Sequence, residues 1–251
     1  MIARFACLLV AISLTACTTT TVRVQSESSK KEAAEINAEL GSRYLRAGEL
    51  KKARDKLQKA LEQDPKNAAA NFNYGLLLAR LKHAEDAEPY FASAVQHAPD
   101  EIHYHEAYGV YLCGQRRADD ATDQFLFAAK NPFNQRPEQS YNNAGSCLLS
   151  LGQLDEAEQN IRAALRQNPQ FPPALLNMAE VSLENRKIEV ADAYFSRYLK
   201  YGQHNADSLW LGIQIKRFLG DRQTIDDYGL RLKRDFPESK QTLEYLESKE
   251  L

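Results

Sequence analysis

A spacing of 34 residues governs what this chain can fold into. Pro65 and Pro99 stand one such interval apart, and the residues before each repeat in kind. The stretch Ile36 to Pro65 carries Leu40, Gly41, Tyr44, Gly48, Leu50, Ala53, Leu57 and Ala60. The next carries Tyr74, Gly75, Leu78, Ala84, Ala87, Phe91 and Ala94 at the same offsets. Small residues at fixed places let two helical backbones approach, and large ones fill the volume left between them. Apolar positions at helical spacing on both sides of a glycine turn describe a helix pair. A pair repeated at fixed period must stack on its neighbours to bury its faces, so the chain reads as an all-α helical solenoid.

Four units follow this template closely. Repeat one runs from about Ala34 to Lys66 and repeat two from Asn67 to about Asp100. Repeat three places Tyr108, Gly109, Leu112, Ala118, Ala121, Phe125 and Ala128 on the template. It then departs with Asn131-Pro132-Phe133-Asn134-Gln135-Arg136-Pro137, where two prolines forbid a helix interior. The next template glycine, Gly145, comes 36 residues after Gly109, so this loop carries two extra residues. Insertions in stacked repeats gather on one face, either as a used surface or as a neutral addition. Repeat four holds Ala144, Gly145, Leu148, Gly152, Leu154, Ala157, Ile161, Ala164 and Pro169; repeat five holds Met178, Ala179, Ile188, Ala191 and Phe195. Repeat six reads as degenerate: Gly212, Ile213 and Gly229 sit off the template, although Trp210, Leu211, Ile215, Phe218 and Leu219 keep it apolar. Leu243, Tyr245 and Leu246 then suggest a short helix closing the exposed end.

Residues 1–16 have another character. Arg4 precedes the short apolar run Phe5 to Leu14, and small residues follow, which is the pattern of a secretory signal peptide. Leu14-Thr15-Ala16-Cys17 resembles the bacterial lipobox, and that resemblance implies cleavage before Cys17 and lipidation of its thiol. Several acyl chains anchor far more firmly than one. Thr18 after Cys17 lacks the aspartate of inner-membrane retention, so by resemblance to sorted lipoproteins the expected address is the periplasmic face of the outer membrane. Residues 17–33 are rich in Thr, Ser and charge with no apolar face, and are expected to form a disordered tether of about 20–25 Å. Residues 34–251 form the repeat domain.

The formal charge of −2 gives no reason to expect nucleic-acid binding. No Gly-rich phosphate loop occurs, the histidines lie on separate turns, and alternate residues such as His103 and His105 point to different sides of a helix. No cofactor, metal, small-molecule substrate or enzymatic activity is therefore expected. Cys113 and Cys147 remain after Cys17 is lipidated, on the first helices of repeats three and four. They either form a disulfide in an oxidising compartment or stay as two buried thiols.

The units resemble tetratricopeptide repeats (TPRs) over about Ala34 to Pro237. That resemblance implies a right-handed α-solenoid of six TPR helix pairs plus a C-terminal capping helix. It also implies that the first helix of each pair lines a concave side. The corresponding positions include Leu45 in repeat one, Phe72, Leu76 and Ala79 in repeat two, and Val110 in repeat three. Apolar residues there read as a partner-binding groove, or as side chains buried by tight curvature. Trp210 reads as core of the last unit.

Signal peptide, lipobox, polar spacer and six repeats together resemble the type IV pilus biogenesis/stability lipoproteins, the PilF/PilW group. Lys130-Asn131-Pro132 and Tyr141-Asn142-Asn143-Ala144-Gly145 strengthen the likeness, which covers the whole chain. It implies a pilotin: an outer-membrane lipoprotein that binds the type IV pilus secretin subunit and promotes its localisation and multimerisation. The other function class compatible with these features is an adaptor that scaffolds peptidoglycan or envelope-assembly enzymes.

Overall fold

The computed structural model describes residues 15–248. Thirteen helices occur among them: α1 (Thr15–Arg46), α2 (Leu50–Gln63), α3 (Ala68–Arg80), α4 (Ala84–His97), α5 (Ile102–Gly114), α6 (Ala118–Lys130), α7 (Pro137–Ser150), α8 (Leu154–Gln167), α9 (Pro172–Glu184), α10 (Ile188–Tyr201), α11 (Ala206–Leu219), α12 (Arg222–Asp235) and α13 (Lys240–Glu247). Among the described residues these are six helix pairs and a closing helix, the all-α repeat architecture that the 34-residue period requires.

Each pair is joined by the same turn. The residue that reverses the chain has positive φ at Gly48 (78°), Lys82 (62°), Arg116 (61°), Gly152 (80°), Arg186 (58°) and Gly220 (74°). The next amide then donates back five residues to close the first helix, as from His83 to the Leu78 carbonyl (3.0 Å) and from Gln153 to the Leu148 carbonyl (2.9 Å). This is a Schellman-type ending, which satisfies carbonyls that the helix would leave bare. Half of these turns use Lys or Arg where glycine costs least.

Within each pair the small template residue receives the large one. A Cβ on Gly41 would fall 2.5 Å from Leu57 Cγ, and one on Gly145 would fall 2.5 Å from Ile161 Cγ1. Gly212 plays the same part in the sixth pair, against Phe195 and Tyr228, each 2.7 Å from its virtual Cβ. The sixth repeat is thus regular in packing. Its glycine is displaced by one residue because Gly212 follows Ala179 by 33 rather than 34. Gly229, also expected off the template, is the seat on which Tyr245 of α13 lies. Tyr245 is 1% exposed and packs with Leu209, Ile213 and Leu232, sealing the last pair.

The chain forms two compact units, Met1–Tyr104 and His105–Leu251, divided within α5. In the first unit Leu45, Ala53, Leu57, Tyr74 and Leu77 form one core cluster, and Ala38, Ala60 and Ala70 another. In the second unit the clusters centre on Leu148, Ile161 and Met178, on Leu175, Phe195 and Tyr198, and on Tyr245.

One expectation is overturned at the N-terminal side. Residues 18–33, expected to be a disordered tether, are helical and continuous with the packed part of α1. No proline or glycine interrupts residues 15–40, so a helix nucleated by burial at Ala34 and Ala38 can extend outward at little further cost. From residue 27 to residue 32 every side chain is exposed, so this part of the helix is a spacer rather than a packing element. Residues 1–14, most of the expected signal peptide, lie outside the described residues. No helix among the described residues is long and apolar enough to cross a membrane.

The two-residue insertion is built in detail. Asn131 Oδ1 accepts from the Phe133 amide (2.9 Å), and Asn134 Oδ1 accepts from the Arg136 amide (2.8 Å). Asn134 Nδ2 donates to the Ala128 carbonyl (2.8 Å) and to Ser140 Oγ (3.1 Å), whose hydroxyl donates to Glu106 Oε1 (2.6 Å). Side-chain amides thus replace a backbone ladder. Pro137 opens α7, where its missing N–H costs nothing.

Candidate partner-binding groove

A groove of about 500 Å³ opens in the first unit. Three elements build it. The last turns of α1 supply Ser42, Leu45 and Arg46; α3 supplies Phe72, Asn73, Leu76 and Arg80; and the first turn of α5 supplies His103 and Tyr104. Spacings of three and four residues bring each set to one helix face.

Phe72 is the centre of this surface. Its ring lies 4.5 Å from that of Tyr104 at a tilt of 31°, and meets His103 edge-on at 5.3 Å. Behind it Phe91 is edge-on at 6.3 Å. Such contacts fix the ring's place while part of it remains open to solvent. Leu45 is 7% exposed and serves both as core, with Leu57 and Tyr74, and as groove floor; Leu76 is half-buried. Burial, reinforced by the nearby Glu101 carboxylate, holds the Tyr104 phenol above its ordinary pKa. It therefore stays a neutral hydroxyl.

The rim is cationic. Arg46 donates to Ser42 Oγ (3.1 Å), and Arg80 reaches from α3 to the Leu45 carbonyl (3.1 Å). Asn73 Nδ2 donates to the Ala69 carbonyl (2.8 Å). The lining contains two arginines and no carboxylate.

Of the five residues expected to line a groove, the structure brings together Leu45, Phe72 and Leu76. Ala79 is half-buried but does not line the groove, because its single methyl is too short to reach it. Val110 belongs to the second unit, where it is 60% exposed, so it is not part of the first unit's groove. Arg46, Arg80 and Tyr104 were not among the expected lining residues. A signal was present for the arginines, which are 34 residues apart and so occupy the same place in successive repeats.

In the second unit Cys113 and Cys147 are joined by a disulfide, with Cα atoms 5.8 Å apart and sulfurs at 2.11 Å. A separate surface of about 450 Å³ there is lined by Leu183, Glu184, Arg186, Gln214, Arg217 and Phe218. Arg186 lies 5.4 Å over the Phe218 ring, and Arg217 lies 5.3 Å over that of Trp210. Trp210 itself is half-buried against the cluster around Tyr245. His105 is buried, bonded through Nδ1 to Gln124 Oε1 (2.8 Å) and stacked on Phe127 at 4.1 Å. His204 is half-buried near Tyr228; burial, then the charge of Arg231, lowers its pKa. Among the described residues no group of three or more His, Cys, Asp or Glu could hold a metal ion. Cys17 is the third residue of α1.

Known proteins share this architecture. The sequence matches the tetratricopeptide repeat family over residues 39–102 and 109–172, just over half of the chain, and again over residues 148–212. It is 29% identical over 241 residues to the type IV pilus assembly protein PilF of Pseudomonas aeruginosa, covering 95% of this chain and 94% of that protein. The solved structure of Pseudomonas aeruginosa PilF superposes with a TM-score of 0.71 at 28% identity, covering 88% of this chain and 99% of that one. The crystal structure of PilW, described as a type IV pilus biogenesis factor, gives a TM-score of 0.73 at 30% identity over 85% of this chain and 98% of that one. Six repeats, a closing helix and these near full-length likenesses agree: the chain belongs to the tetratricopeptide-repeat proteins of type IV pilus biogenesis.

Proposed function

We propose that this protein acts in type IV pilus biogenesis as a lipid-anchored pilotin. It holds the secretin subunit in the first unit's groove and promotes its arrival and multimerisation in the outer membrane. The observation that carries this reading is the aromatic-lined groove around Phe72, in a chain similar over nearly its whole length to PilF and PilW. A partly open ring with its edges fixed is a ready anchor for an apolar segment of a partner, because little ordering entropy remains to be lost on binding.

Lipidation of Cys17 supplies the other half of the mechanism. Acyl chains on that thiol hold the protein at the periplasmic face of the outer membrane, and α1 sets the repeats off from it. The seventeen helical rises from Cys17 to Ala34 span about 25 Å. A secretin subunit bound to an anchored carrier experiences a raised effective concentration at the membrane, which favours assembly there without any new contact.

Two substitutions separate the parts. Phe72→Glu places a charge on the groove floor, and Ser42→Trp fills the groove from its rim. Both should retain the circular dichroism of the parent and lose capture of purified secretin subunit. Cys17→Ala should bind secretin normally in detergent and leave secretin multimers reduced in outer-membrane fractions. Normal multimers in that strain would overturn the pilotin reading, and recovery of cell-wall enzymes instead of secretin would favour an envelope-assembly adaptor.

A further inference from the structure

We propose that the groove selects for a carboxylate: its ligand is a short apolar peptide segment carrying an acidic residue, which Arg46 and Arg80 seat at the rim. This rests on the reading that the groove holds a protein partner, and adds the chemistry by which the partner is chosen.

Charge placement is the starting observation. The whole chain has 32 basic and 34 acidic residues, yet the groove is lined by two arginines and no carboxylate. In the same unit Arg43 pairs with Glu39 and Lys52 with Glu49, both away from the groove. Arg46 and Arg80 instead contact neutral oxygens, the Ser42 hydroxyl and the Leu45 carbonyl. Among the described residues neither has a carboxylate within ion-pair distance.

Both arginines line this one groove. Arg46 is the last residue of α1, and Arg80 is the last residue of α3, one repeat later. Arg80 reaches back to the carbonyl of Leu45, the residue before Arg46. Arg80 therefore places its charge at the C-terminal end of α1, and both arginines line the groove with Leu45, Phe72 and Leu76. A cation at a helix C-terminus is favourable in itself, and one arginine would serve that purpose. A guanidinium carries five N–H donors, and each of these uses one in the contacts above. The remaining donors form a planar array matched to a carboxylate, the bidentate geometry in which arginine outperforms lysine. An apolar anchor beside Phe72 and a carboxylate on the rim would be read together. The anchor supplies affinity, and the charge supplies register and on-rate.

The test uses the full folded protein and a phage-displayed library of random dodecapeptides. Selection on the parent should enrich peptides with Asp or Glu beside apolar residues. A selected peptide, labelled for fluorescence anisotropy, should bind Arg46→Gln/Arg80→Gln about tenfold more weakly, and the loss should shrink as salt is raised. The Arg46→Lys/Arg80→Lys protein should recover part of the affinity, and circular dichroism should be unchanged in both. Selected peptides without acidic enrichment, equal affinity for the glutamine variant, or peptides that bind Phe72→Glu as well as the parent would each overturn the proposal. Secretin capture on the same variants keeps the two readings apart. Capture lost with Phe72→Glu but kept with the glutamine pair leaves the groove assignment standing and removes the carboxylate. Absence of secretin capture by the parent removes the pilotin reading, while the peptide selection still decides the chemistry of the groove.

Discussion

At Gly145 the fourth helix pair closes to backbone distance. An added Cβ would stand 2.5 Å from Ile161 Cγ1 and 3.1 Å from both the Ala157 carbonyl oxygen and the Ile161 amide nitrogen. Neither backbone atom can move without separating α7 from α8, and a β-branched side chain has little rotamer freedom to yield. Gly145→Ala should therefore lower the unfolding free energy by about 2–3 kcal/mol in urea titrations. Gly75 has the same place in repeat two, yet its virtual Cβ lies 3.3 Å from the Phe91 ring, which can shift by a few tenths of an ångström. There the gain in helix propensity of about 1 kcal/mol offsets the crowding, and Gly75→Ala should change stability by less than about 1 kcal/mol. The turn residues obey an opposite rule. Lys82 is held at a φ of 62°, the region where a Cβ costs about 1–2 kcal/mol, and no neighbour requires its side chain. Part of that cost returns as unfolded-state entropy, so Lys82→Gly should stabilise the protein by about 0.5–1 kcal/mol. Thermal melts and urea midpoints would both report it.

Among the elements, α1 has the most to teach about reading a chain from sequence. Its C-terminal half follows from the template, because Ala34, Ala38 and Leu45 must be buried for the first pair to close. Its N-terminal half does not, since Thr and Ser composition is equally compatible with irregular chain. What extends the helix is an already nucleated neighbour, and composition does not register that. The cooperative fold should accordingly begin near Ala34. Proteins starting at residue 27 and at residue 33 should melt together, because the side chains from 27 to 32 are all exposed. One starting at residue 39 loses the buried Ala34 and Ala38 and the 2.9 Å hydrogen bond from Asn37 to Gln63, and should be less stable by on the order of 2–3 kcal/mol. The same distinction runs through the site. Leu45, Phe72 and Leu76 were legible because an apolar residue at a concave position departs from the template. Arg46 and Arg80 carried only the signal of their 34-residue spacing, because a terminal arginine is ordinary on any helix and only the reach of Arg80 to the Leu45 carbonyl shows where its charge lies. Gly212 and Gly229 were misread for a third reason: a strict period treats a one-residue shift as decay, whereas packing needs only a small residue opposite Phe195 and Tyr228, or under Tyr245.

For the molecule as a whole, stability is unevenly distributed. Stacked repeats gain stability from each pair and from each neighbouring interface, so a local staple raises the stability of the segment that contains it. The Cys113–Cys147 disulfide lies entirely in the second unit and closes a loop with a sequence separation of 34. Loop-closure entropy for that separation amounts to about 4 kcal/mol in the chain-entropy account, and measured values commonly fall at about 2–4 kcal/mol. The chain also carries its own reporter, since its single tryptophan, Trp210, packs in the second unit beside Leu209, Ile213, Leu232 and Tyr245. Trp210 fluorescence follows unfolding of that unit, while far-ultraviolet circular dichroism follows every helix. In the oxidised protein the fluorescence midpoint in urea should lie at or above the dichroism midpoint. With reductant, or in Cys113→Ala/Cys147→Ala, the fluorescence midpoint should fall by the equivalent of about 2–4 kcal/mol, and the dichroism curve should broaden as the two units cease to unfold together. A fluorescence transition indifferent to reductant would mean that the bridge constrains a part of the chain already ordered in the unfolded ensemble. A midpoint that falls with reductant would make an oxidising environment a condition for this unit's full stability.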